Sequence, residues 1–100
     1  MSRGPEQLIK KQTAADAQTY YFDKDKVGCS LVVDGTLITE EISIKYIGLD
    51  GISETPAYDS AGSLMTLKLT RPAVPITGGC WLKVSKPSTT NAVGVNICGL

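Results

Sequence analysis

Apolar and polar residues alternate along most of this chain, and the period of two begins at about Thr19. This spacing places successive side chains on opposite faces of a β-strand. The alternating runs, separated by turn signals, are "TYYF", "VGCSLVVD", "LITEEISIKYI", "LMTLKLT" and the two arms of "WLKVSKPSTTNAVGVNIC". They predict six to seven short strands and no long helix. The expected fold is therefore all-β, an antiparallel β-sandwich or a small barrel.

The connections between these runs carry their own signals. The "DGT" at residues 34–36 is typical of a tight turn, and residues 48–63 form the longest predicted loop. Residues 71–79, "RPAVPITGG", contain two prolines and indicate a connection or an edge strand. The last run, residues 81–98, predicts a closing hairpin with the polar tip "KPSTTN". Glu40 interrupts an otherwise apolar face, which suggests a bulge or a strand end.

Residues 1–17 differ from the rest because they are polar and lack a repeated apolar stripe. Leu8 and Ile9 are their only pair of large apolar residues. The composition allows a short helix, and equally a flexible arm that becomes ordered on a partner. We therefore divide the chain into an N-terminal extended arm, 1–17, and a β-sandwich domain, 18–100.

The three cysteines favour neither a disulfide framework nor a zinc site, because their number is odd and no CxxC pair occurs. Cys29 and Cys80 share the phase of apolar neighbours, so both are expected to be buried thiols. Cys98 has the opposite phase. In a regular closing hairpin Cys80 and Cys98 would point to different faces and could not bridge.

The charge balance excludes several classes of partner. Ten basic residues offset ten acidic ones, which argues against nucleic-acid binding and a polybasic membrane contact. No apolar run approaches the roughly 20 residues of a membrane helix, and the N-terminus lacks a signal-peptide core. Synthesis and use in a cytoplasm are expected unless another route, such as lysis, exports the chain. Lys10 and Lys11, the only adjacent basic pair, are interpreted as solvated.

Catalytic and metal-binding chemistry is poorly represented. Histidine is absent, which removes the usual general base and metal ligand. Glu40 and Glu41 are adjacent, so on a strand they would point to opposite faces. Asp23 and Asp25 have a DxD spacing but lack the rest of a calcium loop, and a polar turn is the preferred interpretation. We expect no enzyme activity, no cofactor and no metal.

Two aromatic residues are candidates for binding. Trp81 has the phase opposite to Leu82 and Val84, which would place it on an outer face, and Tyr58 lies in the long loop. Together they could stack on a sugar ring or anchor a protein interface. The preferred interpretation is the simpler one, that Trp81 packs on the second sheet or under the N-terminal segment.

The segment "ITGGCWLKVSKPSTTNAVGV" resembles the C-terminal end of small tailed-bacteriophage virion proteins, which end in a Gly-rich turn, an aromatic strand, a polar loop and "AVGV". Upstream, "LITEEISIKYI", a "DG" loop and "LMTLKLT" resemble the same proteins. The resemblance implies a head decoration or cement protein, made in the host cytoplasm and placed on the capsid surface. Its partner would be the major capsid protein, and self-association into a homo-oligomer such as a trimer would be compatible.

Two docking modes follow. In the first, the N-terminal arm attaches the protein to the capsid, with Leu8 and Ile9 as anchors beside Lys10 and Lys11. In the second, the chain is a tail- or fibre-associated module that binds a glycan or receptor through Tyr58, Trp81 and the loop tips.

Overall fold

The computed structural model describes residues 6–22, 29–58, 61–76 and 80–98, and the regular structure of these ranges is entirely β. Within these ranges nine strands follow one another: β1 (Glu6–Gln12), β2 (Asp16–Phe22), β3 (Ser30–Asp34), β4 (Ile42–Ile47), β5 (Glu54–Pro56), β6 (Thr66–Leu67), β7 (Ala73–Pro75), β8 (Cys80–Lys86) and β9 (Val93–Cys98). The all-β prediction is confirmed. The number of strands exceeds six to seven because β1 forms within the N-terminal arm and β5 forms within residues 48–63, which were expected to be a loop. Over these ranges no helix has the length and apolarity needed to cross a membrane.

The strands form two antiparallel sheets. One has the order β1-β9-β3-β7, and the other has the order β2-β8-β4-β5, with β6 also paired to β4. Apolar side chains from both sheets form one core, which is the arrangement of a β-sandwich. The fully buried large side chains are Ile9, Leu31, Ile42, Ile44, Leu67, Leu82, Val74, Val84, Val93 and Val95.

The predicted closing hairpin is wrong. β8 pairs with β2 and β4, whereas β9 pairs with β1 and β3 in the other sheet. Residues 87–92 therefore cross from one sheet to the other. The alternation correctly predicted which side chains point inward, Leu82 and Val84 on β8 and Val95 and Ile97 on β9. The alternation does not predict which strand each of them pairs with, because the same side chains point inward whether β8 and β9 form a hairpin or lie in different sheets.

The "DGT" signal also lies in a crossing, because β3 and β4 belong to different sheets. Gly35 has a φ of +115°, and a Cβ atom there would lie 2.5 Å from the carbonyl oxygen of Ala92. Glycine is required at this position both by the backbone conformation and by the close approach of the second connection.

The structure corrects the description of the N-terminal arm. Residues Glu6–Gln12 are extended, but they pair with β9 as the edge strand β1, and Ile9 is 1% exposed. A boundary after Ala17 would fall inside β2. Backbone hydrogen bonds to β9 hold this segment in the sheet, although its sequence lacks a repeated apolar stripe. Gly94 permits it, since a Cβ there would lie 2.5 Å from the carbonyl oxygen of Ile9.

Three connections that cross between the sheets meet around a buried lysine. Lys86 is 3% exposed, and its Nζ donates to the carbonyl oxygens of Ala14 (2.7 Å) and Pro87 (3.1 Å) and to the hydroxyl of Thr89 (3.0 Å). Burial lowers the pKa of Lys86, and the nearby charges of Asp16 and Glu40 oppose that effect. The three N–H donors of the ammonium are matched by these three acceptors, so one side chain links the connections at this end of the sandwich.

The cysteines are thiols in the structure. Cys29 is buried, as predicted, whereas Cys80 is only partly buried, and burial raises the pKa of its thiol. Cys80 and Cys98 belong to different sheets. The argument from opposite phases within a hairpin therefore does not apply to this pair.

Candidate functional site

The outer face of the five-stranded sheet carries an apolar row at one end. Tyr21 on β2 lies opposite Trp81 on β8, which lies opposite Ile47 on β4. Trp81 is 49% exposed, so it points outward as its phase indicates, and the preferred interpretation, packing beneath another element, is wrong. The next row along the same face contains Lys83 and Lys45.

Tyr21 and Trp81 form an aromatic pair. Their ring centroids are 5.4 Å apart and their planes are inclined by 50°. This tilted packing is a favourable arrangement of two ring quadrupoles. Tyr21 is 46% exposed. The pair therefore holds each ring in place and still offers apolar surface to a partner.

A tight turn between β4 and β5 extends this row. The Asp50 carboxylate accepts hydrogen bonds from the backbone N–H groups of Ile52 and Ser53, both at 2.9 Å, and from the Ser53 hydroxyl. These bonds, led by that of the Ser53 hydroxyl, lower the pKa of Asp50 to about 2. Gly51 has a φ of +75°. The turn thus holds Leu49 and Ile52 in place, although both side chains are exposed to solvent.

Together these elements surround an open groove of about 630 Å³. Its apolar lining consists of Tyr21, Ile47, Leu49 and Trp81, which we call the apolar corner. The remaining lining comes from Thr19, Cys80 and the backbone of the turn. An open, rigid and mainly apolar groove is suited to packing against another surface.

Charged groups border the apolar corner. Glu54 on β5 accepts from Lys83 at 3.0 Å and lies 3.6 Å from Lys45. The hydrogen bond and charge of Lys83 hold the pKa of Glu54 below its ordinary value, with a smaller contribution from Lys45. An apolar centre with a polar rim is the usual anatomy of a protein interface.

The N-terminal residues predicted as anchors do not form a separate docking element. Ile9 is in the core and Leu8 packs against it. Lys10 and Lys11 are exposed, and Lys11 lies 3.8 Å from Asp34. The apolar pair is therefore used to hold β1 in the sandwich.

Tyr58 is exposed, but it lies apart from Trp81. The N–H of its neighbour Ala57 donates to the carbonyl oxygen of Ile44, and Tyr58 pairs with Leu64. These contacts place it beside the far half of β4, away from Ile47. The structure does not bring the two predicted aromatic residues into one site.

The described residues contain no group of three or more His, Cys, Asp or Glu side chains that could hold a metal. Glu40 accepts from the N–H groups of Ile38 (2.8 Å) and Thr90 (2.9 Å), which lower its pKa to about 2. β4 begins at Ile42, so Glu40 precedes the strand, in agreement with a strand end.

Asp23 and Asp25 lie outside the described residues. The chemistry of the apolar corner is that of packing and stacking.

Sequence reasoning missed Tyr21 and Leu49. The alternation of "TYYF" places Tyr21 on the face opposite to Tyr20, which is the outer face of the sheet. Leu49 was treated as part of a loop. A large apolar residue between Gly48 and Asp50 in a turn signal is the feature that could have indicated it.

Comparison of the chain with protein-family models finds no match, and neither curated proteins nor solved structures show a significant similarity to it.

Proposed function

We propose that this chain is a structural protein of a tailed-bacteriophage virion, a decoration or cement protein that binds the assembled head through its apolar corner. The observation that carries the docking role is the exposure of the corner. Leu49 is fully exposed, and Trp81 and Tyr21 are about half exposed, on one rigid surface. The resemblance of the C-terminal segment to virion proteins supplies the identity of the partner, the major capsid protein.

The energetics favour a covered corner. Burying a large apolar side chain contributes roughly 1.5–3 kcal/mol relative to leaving it in water. The hydrogen bonds of Asp50 hold the backbone of the turn that carries Leu49, and the contact between Tyr21 and Trp81 holds the two rings. The backbone and the rings therefore lose little further conformational entropy on binding. A modest single contact would be sufficient, because a capsid presents many equivalent sites.

The test is co-sedimentation of the protein with assembled, undecorated capsids made from the cognate major capsid protein. The informative variant is Leu49→Asp, because this side chain is exposed in a turn and its loss leaves the core intact. Leu69→Asp is the matched control, a leucine that is 56% exposed outside the apolar corner.

We expect saturable binding of the original protein and of Leu69→Asp, and a loss of at least tenfold in affinity for Leu49→Asp. Equal binding by all three proteins would show that the corner is not the docking surface. Absence of binding to intact cognate capsids would contradict the decoration function itself.

One observation favours a second candidate, a tail- or fibre-associated module that binds a glycan. The Tyr21–Trp81 pair lines the groove and the Lys83–Glu54 ion pair lies beside it, so hydrogen-bonding groups border a stacking surface. A glycan array tests it. Saturable binding to one glycan class that is lost in Trp81→Ala and kept in Tyr58→Ala would support this candidate, and no binding across the array would exclude it.

A further inference from the structure

β2 is an open sheet edge of unusual regularity. All seven of its residues pair with β8, from Asp16 opposite Lys86 to Phe22 opposite Cys80, and the register does not shift. In the described part of the chain, no strand pairs with its other side. Alternate backbone N–H and C=O groups of β2 therefore point away from the sheet and can pair with another strand. The N–H of Ala17 donates to the Asp16 carboxylate at 2.9 Å in the single copy, and pairing exchanges this bond for one to the second strand.

The other edges are protected against such pairing. β1 has irregular register on both sides of Ile9 and carries Lys10 and Lys11. β7 has three residues and ends in Pro75, which cannot donate a ladder hydrogen bond. β5 also has three residues and ends in Pro56, and β6 has two residues. Bulges, lysines, prolines and short length are the features that discourage edge pairing.

β2 has none of these features. Its sequence, "DAQTYYF", contains one charged residue, Asp16, at its start. Ala17, Gln18 and Thr19 are exposed, which shows that the edge is open along this stretch. Thr, Tyr and Phe are also residues that favour strands.

We propose that β2 pairs with β2 of a second copy of this chain, antiparallel and centred on Thr19. The strand is self-complementary in this register. On the outer face, Thr19 of one copy lies opposite Thr19 of the other, and the large Tyr21 lies opposite the small Ala17. Asp16 falls opposite the uncharged Phe22, so no like charges meet. Thr–Thr pairs and large–small pairs are favourable across strands.

This pairing joins two five-stranded sheets into one continuous sheet with a twofold axis perpendicular to it. Both copies then present their outer faces, and hence both apolar corners, on the same side. The pairing does not depend on the proposed function. Its consequence, a divalent attachment to a capsid or another repetitive surface, does rest on that function.

Analytical ultracentrifugation of the full chain tests the pairing at protein concentrations up to about 1 mM, which covers weak specific association. Two variants, Thr19→Lys and Thr19→Glu, place like charges opposite each other at the twofold axis. Thr55→Lys is the matched control, because Thr55 is an exposed threonine on β5, the opposite edge of the same sheet. Circular dichroism confirms that each variant is folded.

We expect the original protein and Thr55→Lys to form dimers. Each Thr19 variant alone should associate about fivefold more weakly or worse, and an equimolar mixture of the two should recover the dimer, because opposite charges then meet. A monomeric original protein, an unaffected Thr19→Lys dimer or a mixture that does not recover would each overturn the proposal. Leu49→Asp should remain dimeric, which separates failure of this pairing from failure of the capsid contact.

Discussion

Lys86 donates a hydrogen bond of 2.7 Å from Nζ to the backbone carbonyl of Ala14, a residue 72 positions earlier in the chain. The bond joins the end of β8 to the connection between β1 and β2. The N–H of Thr89 reinforces it by donating to the carbonyl of Thr13 at 2.9 Å. The connection between β1 and β2 is thus bonded to the connection between β8 and β9 where both cross between the sheets.

Replacing Lys86 with methionine should destabilise the fold by about 1–3 kcal/mol, because the apolar stem is kept while the buried Thr89 hydroxyl and the carbonyl groups of Ala14 and Pro87 lose their donor. Chemical denaturation measures the effect. Lys83→Met is the control, because Lys83 lies on the outer face and its ion pair is exposed, and its effect should be clearly smaller. Equal stability of Lys86→Met and the original protein would contradict the role given to this side chain.

The lowered pKa of Glu40 predicts that the free energy of unfolding depends on pH in the acid range. Its pKa falls from the ordinary value of 4.5 to about 2 in the fold, so the unfolded chain binds more protons between these values. The stabilisation from Glu40 is therefore complete above the unfolded pKa and is lost as the pH falls through about 2. We expect unfolding curves of Glu40→Gln to be less sensitive to pH in this window than those of the original protein. Glu41→Gln is the control, and the same flattening in both variants would refute the assignment to Glu40.

Substitution of Ile9 tests whether the N-terminal segment is an edge strand of the sandwich and not a free arm. Ile9→Ala should cost roughly 2–5 kcal/mol in the free energy of unfolding, as is typical of a fully buried isoleucine. Lys10→Ala, an exposed position on the same strand, should change it by less than about 0.5 kcal/mol. If Ile9→Ala were as stable as Lys10→Ala, the segment would behave as a free arm.

The sequence predicted the inward and outward faces well, because the phase of alternation is local. Leu82, Val84 and Trp81 all point where their phase places them. It could not predict that β8 and β9 lie in different sheets, because partner choice depends on contacts with β1 through β4. Ile9 was not recognised as a core residue, since a single buried side chain on an edge strand leaves no periodic signal.

The candidate site was predicted only in part for the same reason. Trp81 was identified by its phase, but its partner Tyr21 is 60 positions away along the chain and becomes its neighbour only through the pairing of β2 with β8. Tyr58 was grouped with Trp81 by residue type alone. Leu49 becomes informative only once the turn is seen to hold it beside the aromatic pair.

Asp50 allows the geometry of the corner to be tested without removing any apolar contact. Asp50→Ala deletes the acceptor for the Ile52 and Ser53 amides, so we expect faster hydrogen exchange at these two amides and weaker capsid binding. Thr70→Ala, an exposed residue of another turn, should change neither. Faster exchange with unchanged binding would show that the turn does not need to be rigid.

The central claim is that the apolar corner is covered when the protein docks, and Trp81, the only tryptophan of the chain, reports this directly. The protein can be labelled with 5-hydroxytryptophan, excited where ordinary tryptophan does not absorb, and titrated with undecorated cognate capsids in the presence of acrylamide. We predict a saturable loss of quenching by acrylamide, because the half-exposed indole becomes buried against the capsid. Protein that sediments with the capsids while Trp81 remains as accessible to acrylamide as in the free chain would contradict the claim.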